Sequence, residues 1–249
     1  MFNQKSIILS MLLVLFSFTL FAQTLDEILN QHFQALGGYE QIKAIQSIKL
    51  TGTTQAQGMN MPFTMFTKRP NFMRLESEFQ GQTMLQVYDG EKAWAIIPFM
   101  GTLEPQILPP DQAKNFKDQA DIDGLLVDYK EKGTSIELAG TEELNGKPAY
   151  KLKLTLKNSD IRYVFLDTES YLTLKWTGTM APQGTPLDVE TYFSDYKTIS
   201  GRPMPHKVET KVGEQLISAV TIATIEFNVE MADSLFKMPT QAGSTSEEK

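Results

Sequence analysis

The chain has 249 residues, a formal net charge of −7 and no cysteine. Without cysteine there is no disulfide, thiol nucleophile, cysteine-ligated zinc site or lipid-modified N-terminal cysteine. An acidic chain with no cluster of lysine and arginine also lacks the positive charge that phosphate backbones require, which excludes nucleic acid as a partner.

Residues 1–22 have the pattern of a secretory signal peptide. Lys5 provides a positive start, Ile7–Phe21 is apolar and uncharged, and Ala22 is a small residue at the expected cleavage point. The apolar run of about 15 residues is shorter than the roughly 20 that a membrane-spanning helix needs. We therefore expect an exported, soluble protein with one domain over residues 23–239 and a polar, disordered tail over residues 240–249.

Two helices are predicted at the start of the mature chain. Thr24 and Glu27 have the spacing of a capping box, in which each side chain accepts from the other residue's free backbone N–H. Apolar residues then recur at helical spacing up to the glycine pair Gly37–Gly38, which can end the helix. A second, short helix is expected over Tyr39–Ala44.

From Ile45 onward the apolar period changes to two. Tyr150–Lys157 alternates apolar with polar side chains, and Met73–Phe79 does the same, which indicates antiparallel strands with one buried face. Turn dipeptides such as Asp89–Gly90 and Asn145–Gly146 separate such runs. About ten or eleven strands fit the pattern.

One segment, Thr102–Gly133, interrupts the strand pattern. Prolines mark a loop, and the stretch Asp111–Lys132 is predicted to be helical, with Gly124 as a break. Its expected buried side chains are Phe116, Ile122, Leu125, Leu126 and Tyr129. A movable lid would lie here.

The region Met59–Phe99 is rich in methionine and aromatic residues. Methionine is flexible and polarizable, so such a surface can adapt to apolar ligands of varied shape. The alternative is that these side chains fill an ordinary core.

Motifs for catalysis are missing from the sequence. His32 and His206 are far apart and lack metal-ligand spacing, and no nucleophile elbow, phosphate loop or dinucleotide-binding motif occurs. The run Asp118–Gly124 fails as a calcium loop because Lys130 replaces the bidentate glutamate. We predict no enzyme activity, no catalytic residue, no metal and no cofactor.

Three motifs resemble a known family. They are Thr67–Phe72, with the letters TKRPNF, Tyr88–Trp94, with YDGEKAW, and Leu235–Pro239, with LFKMP. In order and separation they resemble the Lol-type periplasmic lipoprotein-carrier superfamily. The resemblance implies a mainly β (α+β) fold, an open half-barrel of antiparallel strands in which the N-terminal helix and an inserted helical lid cover an apolar concave face.

The resemblance also implies a function, namely binding of acyl chains from lipoproteins or lipids in the periplasm for outer-membrane lipoprotein sorting. The implied partners are an acylated lipoprotein or lipid and a membrane receptor, with the carrier acting as a monomer. Arg69 would take the family's role in lid closure and cargo release, the alternative being a surface arginine before an edge proline. The predicted groove residues are Phe63, Met65, Met73, Leu75, Trp94 and Phe99.

Two other functions fit the same sequence. The scaffold could serve as a lipid-sensing or protein-interaction module in the envelope, or it could be a hydrolase without a recognisable motif.

Overall fold

The computed structural model describes residues 23–180 and 187–239; the predicted signal peptide and tail lie outside them. The α-helices are α1 (Leu25–Ala35), α2 (Tyr39–Lys43) and α3 (Pro110–Ala120). The strands are β1 (Ser47–Ala56), β2 (Met59–Lys68), β3 (Phe72–Phe79), β4 (Gln82–Tyr88), β5 (Ala93–Ile97), β6 (Thr102–Ile107), β7 (Ser135–Leu144), β8 (Lys147–Thr155), β9 (Ile161–Asp167), β10 (Thr173–Met180), β11 (Leu187–Ile199), β12 (Arg202–Val212) and β13 (Gln215–Phe227).

All thirteen strands form one antiparallel sheet in the order β6-β5-β4-β3-β2-β1-β13-β12-β11-β10-β9-β8-β7. The chain runs outward from β1 to the β6 edge, restarts at the opposite edge with β7, and returns to β13, which pairs with β1. The sheet stays open because β6 and β7 are its two edges. This is the predicted mainly β fold, with more strands than the ten or eleven expected.

The missed strand β6 lies within the segment Thr102–Gly133 that was predicted to contain only loop and helix. It includes Pro105, which is tolerated in a sheet mainly on an edge strand because proline has no N–H to donate. The sequence pattern of a short edge strand is weak, and a proline within it is equally typical of a loop.

Helix α1 begins as predicted. The Thr24 N–H donates to Glu27 Oε2 at 2.8 Å, and the Glu27 N–H donates to Thr24 Oγ1 at 3.3 Å. After Leu36 the chain continues through Gly37 and Gly38 with φ of 98° and 99°, a conformation that favours glycine.

Helix α3 is shorter than the predicted helix Asp111–Lys132. It ends at Ala120, and residues 122–133 form turns. The Asp121 side chain accepts the Asp123 N–H at 3.1 Å, and Gly124 and Asp128 have φ of 69° and 52°, which a continuing helix does not allow. The expected buried side chains are therefore divided, since Phe116 packs near β3–β5 while Leu125, Leu126 and Tyr129 pack under α1.

Three apolar clusters hold the elements on the sheet. Helix α1 and the turns after α3 cover β7–β10, where Ile28, Leu152, Leu154 and Leu166 are fully buried. Helix α3 covers β3–β5. The third cluster lies on the opposite side of β2–β5, against the C-terminal segment 229–236, which ends in a 3-10 turn at Asp233–Phe236.

Candidate functional site: an apolar inner face and its covering helix

Strand register defines one continuous inner face of the sheet. Directly paired residues share a face, so the face of Met61 continues through Thr54 on β1, Val220 on β13, Val208 on β12 and Phe193 on β11. From Thr191, the next residue of β11 on this face, it continues through Trp176 on β10 and Val164 on β9 to Leu152 on β8. Helices α1 and α3 therefore lie on the same side of the sheet.

The middle of this face carries a band of apolar side chains between the two stretches that the helices cover. We call this band the central trough. Its side chains are half-buried apart from Phe63, which is 9% exposed. It consists of Leu50, Phe63, Phe193, Val208, Val220 and Ile222.

Four of the predicted groove residues lie together on the inner face. Phe63 and Met65 project from β2, and Met73 and Leu75 from β3, with Met65 directly opposite Leu75. Met73 is completely buried, because helix α3 packs over this part of the face.

Trp94 is separated from them. It lies on the outer face, 1% exposed, where its indole N–H donates to the Phe236 carbonyl at 3.3 Å. Its neighbours include Val87, Met231 and Phe236. A strand alternates its side chains between faces, so the buried Ala93 and Ala95 point toward the groove and Trp94 points away.

Phe99 lies at the end of the sheet. It belongs to a short 3-10 turn, Pro98–Met100, is 49% exposed, and makes an edge-on contact with Phe79 at 5.3 Å between ring centroids. It therefore borders the inner face at its margin.

Helix α3 occupies the place of the predicted lid. Its apolar side consists of Ala113, Phe116 and Ala120, which pack with Leu108 against the β2–β5 part of the inner face. Ala120 is fully buried, whereas Phe116 remains half-buried. The apolar contact of the helix is thus small, and polar contacts supplement it.

Arg69 holds the turns that follow α3. Its guanidinium forms a two-pronged ion pair with Asp123, with Nη1 to Oδ2 at 2.8 Å and Nη2 to Oδ1 at 2.5 Å. The same side chain donates from Nε to the Ile45 carbonyl at 2.6 Å. Planar, two-pronged pairing of this kind is specific to arginine.

A second cation, Lys43, joins the same carboxylates. Its ammonium lies 2.9 Å from Asp123 and 2.6 Å from Asp128, and Tyr39 also donates to Asp128. The Arg69 guanidinium, with Lys43, lowers the pKa of Asp123 to about 2, against the opposing effect of burial. Lys43, with Tyr39, likewise lowers the pKa of Asp128.

Two further ion pairs connect α3 to the other end of the sheet. Lys114 pairs with Asp160 in the β8–β9 turn, and Asp118 accepts from Arg162 Nη2 on β9 at 2.5 Å. Helix α3 therefore bridges the two halves of the inner face, with apolar contacts on one side and charged contacts on the other.

Several trough residues are not among the groove residues predicted from the sequence. Phe193, Val208, Val220 and Ile222 lie on three strands far along the chain from the methionine-rich region. Their alternation with polar neighbours was a usable signal for the buried face of each strand. Nothing in the sequence indicated that the pairing of β1 with β13 would bring that face beside Phe63.

The described residues contain no group of three or more histidine, aspartate or glutamate side chains arranged to hold a metal ion. Asp121 and Asp123, from the rejected calcium loop, are paired with Lys132 and Arg69. His32 is buried in α1 with Nδ1 2.7 Å from the Tyr171 carbonyl, and desolvation lowers its pKa. His206 is buried on β12, 3.1 Å from the Met204 carbonyl.

Among the described residues, no helix has the length and apolar character needed to cross a membrane.

Comparison of the fold with solved structures finds many similar chains, among them three with the same architecture. A LolA superfamily protein from Nitrosomonas europaea superimposes with a TM-score of 0.58 at 14% identity, over 87% of this chain and 98% of that one. A DUF1329 family protein from Desulfovibrio piger gives 0.57 at 13%, over 83% and 95%. A putative outer membrane lipoprotein-sorting protein domain from Vibrio parahaemolyticus gives 0.55 at 14%, over 84% and 94%.

No family model and no curated protein matches the sequence. The likeness is one of architecture, an open antiparallel sheet with helices over one face. The protein therefore has a LolA-like fold, as its three motifs predicted.

Proposed function

We propose that the protein is a non-enzymatic periplasmic carrier that binds acyl chains of lipoproteins or lipids on its inner face and serves outer-membrane lipoprotein sorting. The observation that carries this proposal is the central trough. It presents apolar side chains from β1, β2 and β11–β13 that are half-buried, apart from the buried Phe63, and an apolar surface left accessible in this way is typical of a binding site.

The outer face of the same strands has a different character. Along β11 and β12 the outward residues Glu190, Lys207 and Glu209 are charged, and they form the ion pairs Lys175–Glu190 and Lys207–Glu209. On β11 and β12 the apolar trough side chains therefore face the side that α1 and α3 partly cover.

Burial of an acyl chain supplies enough free energy for binding. Each buried CH₂ contributes about 0.8 kcal/mol, so covering eight of them gives roughly 6 kcal/mol before the entropic cost of association. No catalytic group is needed for such binding.

Arg69 is proposed to act in closure and release. It joins the β2–β3 turn and the Ile45 carbonyl to Asp123, just beyond the end of α3. Cargo that displaces α3 would have to loosen these contacts, and their re-formation would favour release.

The test compares a charge placed on each face of one strand. Val220 is half-buried in the trough, and its neighbour Thr221 is exposed on the outer face of β13. Uptake of a fluorescent fatty acid should be lost in Val220→Glu and retained in Thr221→Glu. Leu75→Glu, under α3, should also lose uptake.

Thermal unfolding of all three variants shows whether each remains folded. Equal uptake by Val220→Glu and the parent protein would contradict the proposal. Native mass spectrometry of detergent-free protein then identifies the cargo. If the protein carries no lipid and co-purifies with another protein, a protein-interaction module would be favoured instead.

A further inference from the structure

Arg162 is a buried cation on the inner face. It is 6% exposed, and its cross-strand partner on β8 is the fully buried Leu154. The Trp176 ring centroid lies 5.6 Å from the guanidinium carbon. A permanent charge in such apolar surroundings is costly unless it is paired.

The charge is neutralised by a carboxylate from the covering helix. Arg162 Nη2 donates to Asp118 Oδ2 at 2.5 Å, the one hydrogen bond that its guanidinium makes within the described residues. Side-chain exposure is 7% for Arg162 and 35% for Asp118. A guanidinium has five N–H donors, so most of its capacity is left for another acceptor.

The space beside this guanidinium is kept by a glycine. A Cβ at Gly178 would lie 3.1 Å from Trp176 Cζ3 and 4.0 Å from Arg162 Nε. Any larger residue there would crowd the Trp176 ring and reduce the space beside the Arg162 guanidinium.

Movement of α3 would separate this pair. Asp118 belongs to the same helix as Phe116 and Ala120, which cover Met73 and Leu75. A ligand that lifts the helix from the inner face takes Asp118 with it and leaves Arg162 without its carboxylate. An anion carried by the ligand would restore the pairing.

We infer that Arg162 binds the acidic headgroup of an acyl ligand, a carboxylate or a phosphate, in exchange for Asp118. This inference rests on the proposed function and narrows its ligand class to amphiphiles that combine an acyl chain with a negative charge. An acyl chain on a neutral headgroup would bind on the trough alone.

A matched cation on the other face provides the control. Lys175 is also 6% exposed, but it projects from the outer face of β10, where it pairs with Glu190 at 3.0 Å. It also lies over the Phe165 ring, 4.3 Å from its centroid. All of these partners belong to sheet strands, so no helix movement exposes it.

The experiment measures binding by calorimetry with three probes of one chain length, which are palmitate, 1-palmitoyl lysophosphatidate and the neutral 1-monopalmitoylglycerol. We expect at least one acidic probe to bind about tenfold more tightly than the glyceride, the size of one charge-assisted contact. Arg162→Met should abolish that preference without weakening glyceride binding, and Lys175→Met should keep it. The tighter acidic probe identifies the headgroup.

Asp118→Asn separates a binding role from a structural one. It removes the competing carboxylate from an exposed position, so the acidic probes should bind more tightly while glyceride affinity stays the same. Equal affinity of all three probes for the parent protein, or no gain in Asp118→Asn, would overturn the role of Arg162 and leave the carrier intact. Failure of every probe to bind would instead overturn the carrier function itself.

Discussion

Among the carboxylates near the site, Asp123 has the pKa that is shifted most strongly. The Arg69 guanidinium lowers its pKa from the ordinary 3.8 to about 2, so the unfolded chain binds more protons than the native protein between these values. Asp123 therefore contributes stability that is complete above about pH 4 and is lost as the pH falls through the folded pKa.

We expect Asp123→Asn to flatten the loss of stability on acidification from pH 4 toward pH 2. Urea unfolding at a series of pH values measures this slope. Asp195→Asn, at a solvent-exposed pair with Lys197, should leave the slope unchanged. The ion pair would have no linkage to folding if Asp123→Asn and the parent protein gave parallel curves.

Gly52 makes room for an aromatic ring of the trough. A Cβ at this position would lie 2.2 Å from the Thr221 carbonyl oxygen and 2.8 Å from Phe63 Cε1. We expect Gly52→Ala to destabilise the protein by about 3 kcal/mol, because neither backbone nor ring can yield fully. Gly58→Ala, at φ of 76° with open space around its Cβ, should cost about 1 kcal/mol. Denaturant unfolding compares the two, and similar losses would refute the steric explanation.

At the scale of elements, α1 and α3 differ in how they are held. Helix α1 has a complete capping box and buries Ile28, Leu29 and His32. Helix α3 starts at Pro110, after the N-cap residue Pro109, without a side-chain cap, and its apolar contact consists of two alanines and Phe116. Local opening is cheapest where few apolar contacts are buried.

Amide hydrogen exchange should therefore be faster in α3 than in α1 in the free protein. Added palmitate should change exchange in α3 and leave α1 unaffected. Equal protection of the two helices would show that α3 is a fixed part of the core.

The molecule as a whole keeps its two tryptophans on opposite faces of the sheet. Trp176 lies on the inner face beside Arg162, and Trp94 is sealed on the outer face by the C-terminal segment. They should report differently on ligand binding.

Palmitate should change the fluorescence of Trp94→Phe, which retains Trp176, and leave that of Trp176→Phe unchanged. Fluorescence titration of the two variants tests this. A response from Trp94 alone would place the ligand on the outer face.

The C-terminal segment closes the outer face. Phe236 is completely buried, stacks on Phe72 with ring centroids 5.2 Å apart, and belongs to the same cluster as Met231 and Trp94. We expect Phe236→Ala to cost about 4 kcal/mol, whereas Met238→Ala, at a 40% exposed site, should cost much less. Thermal unfolding measures both, and equal losses would show that the segment is not part of the core.

Elements with local signals can be predicted from the amino-acid sequence alone. The Thr24–Glu27 capping box, the glycine pair after α1 and the period-two strands require only neighbouring residues, and all three are present as predicted. The three motifs likewise indicated the fold family. These features follow from backbone hydrogen bonding and from the burial of alternate side chains.

Which apolar residues share a face across the sheet depends on how distant strands pair. The pairing of β1 with β13 brings Val220 and Ile222 beside Phe63, and the register of β5 turns Trp94 away from the groove. Arg69 pairs with Asp123, 54 residues away along the chain, and Arg162 pairs with Asp118, 44 residues away. Both carboxylates lie in α3 or in the turns that follow it. Contacts of this kind depend on strand register and helix placement, which no local pattern encodes.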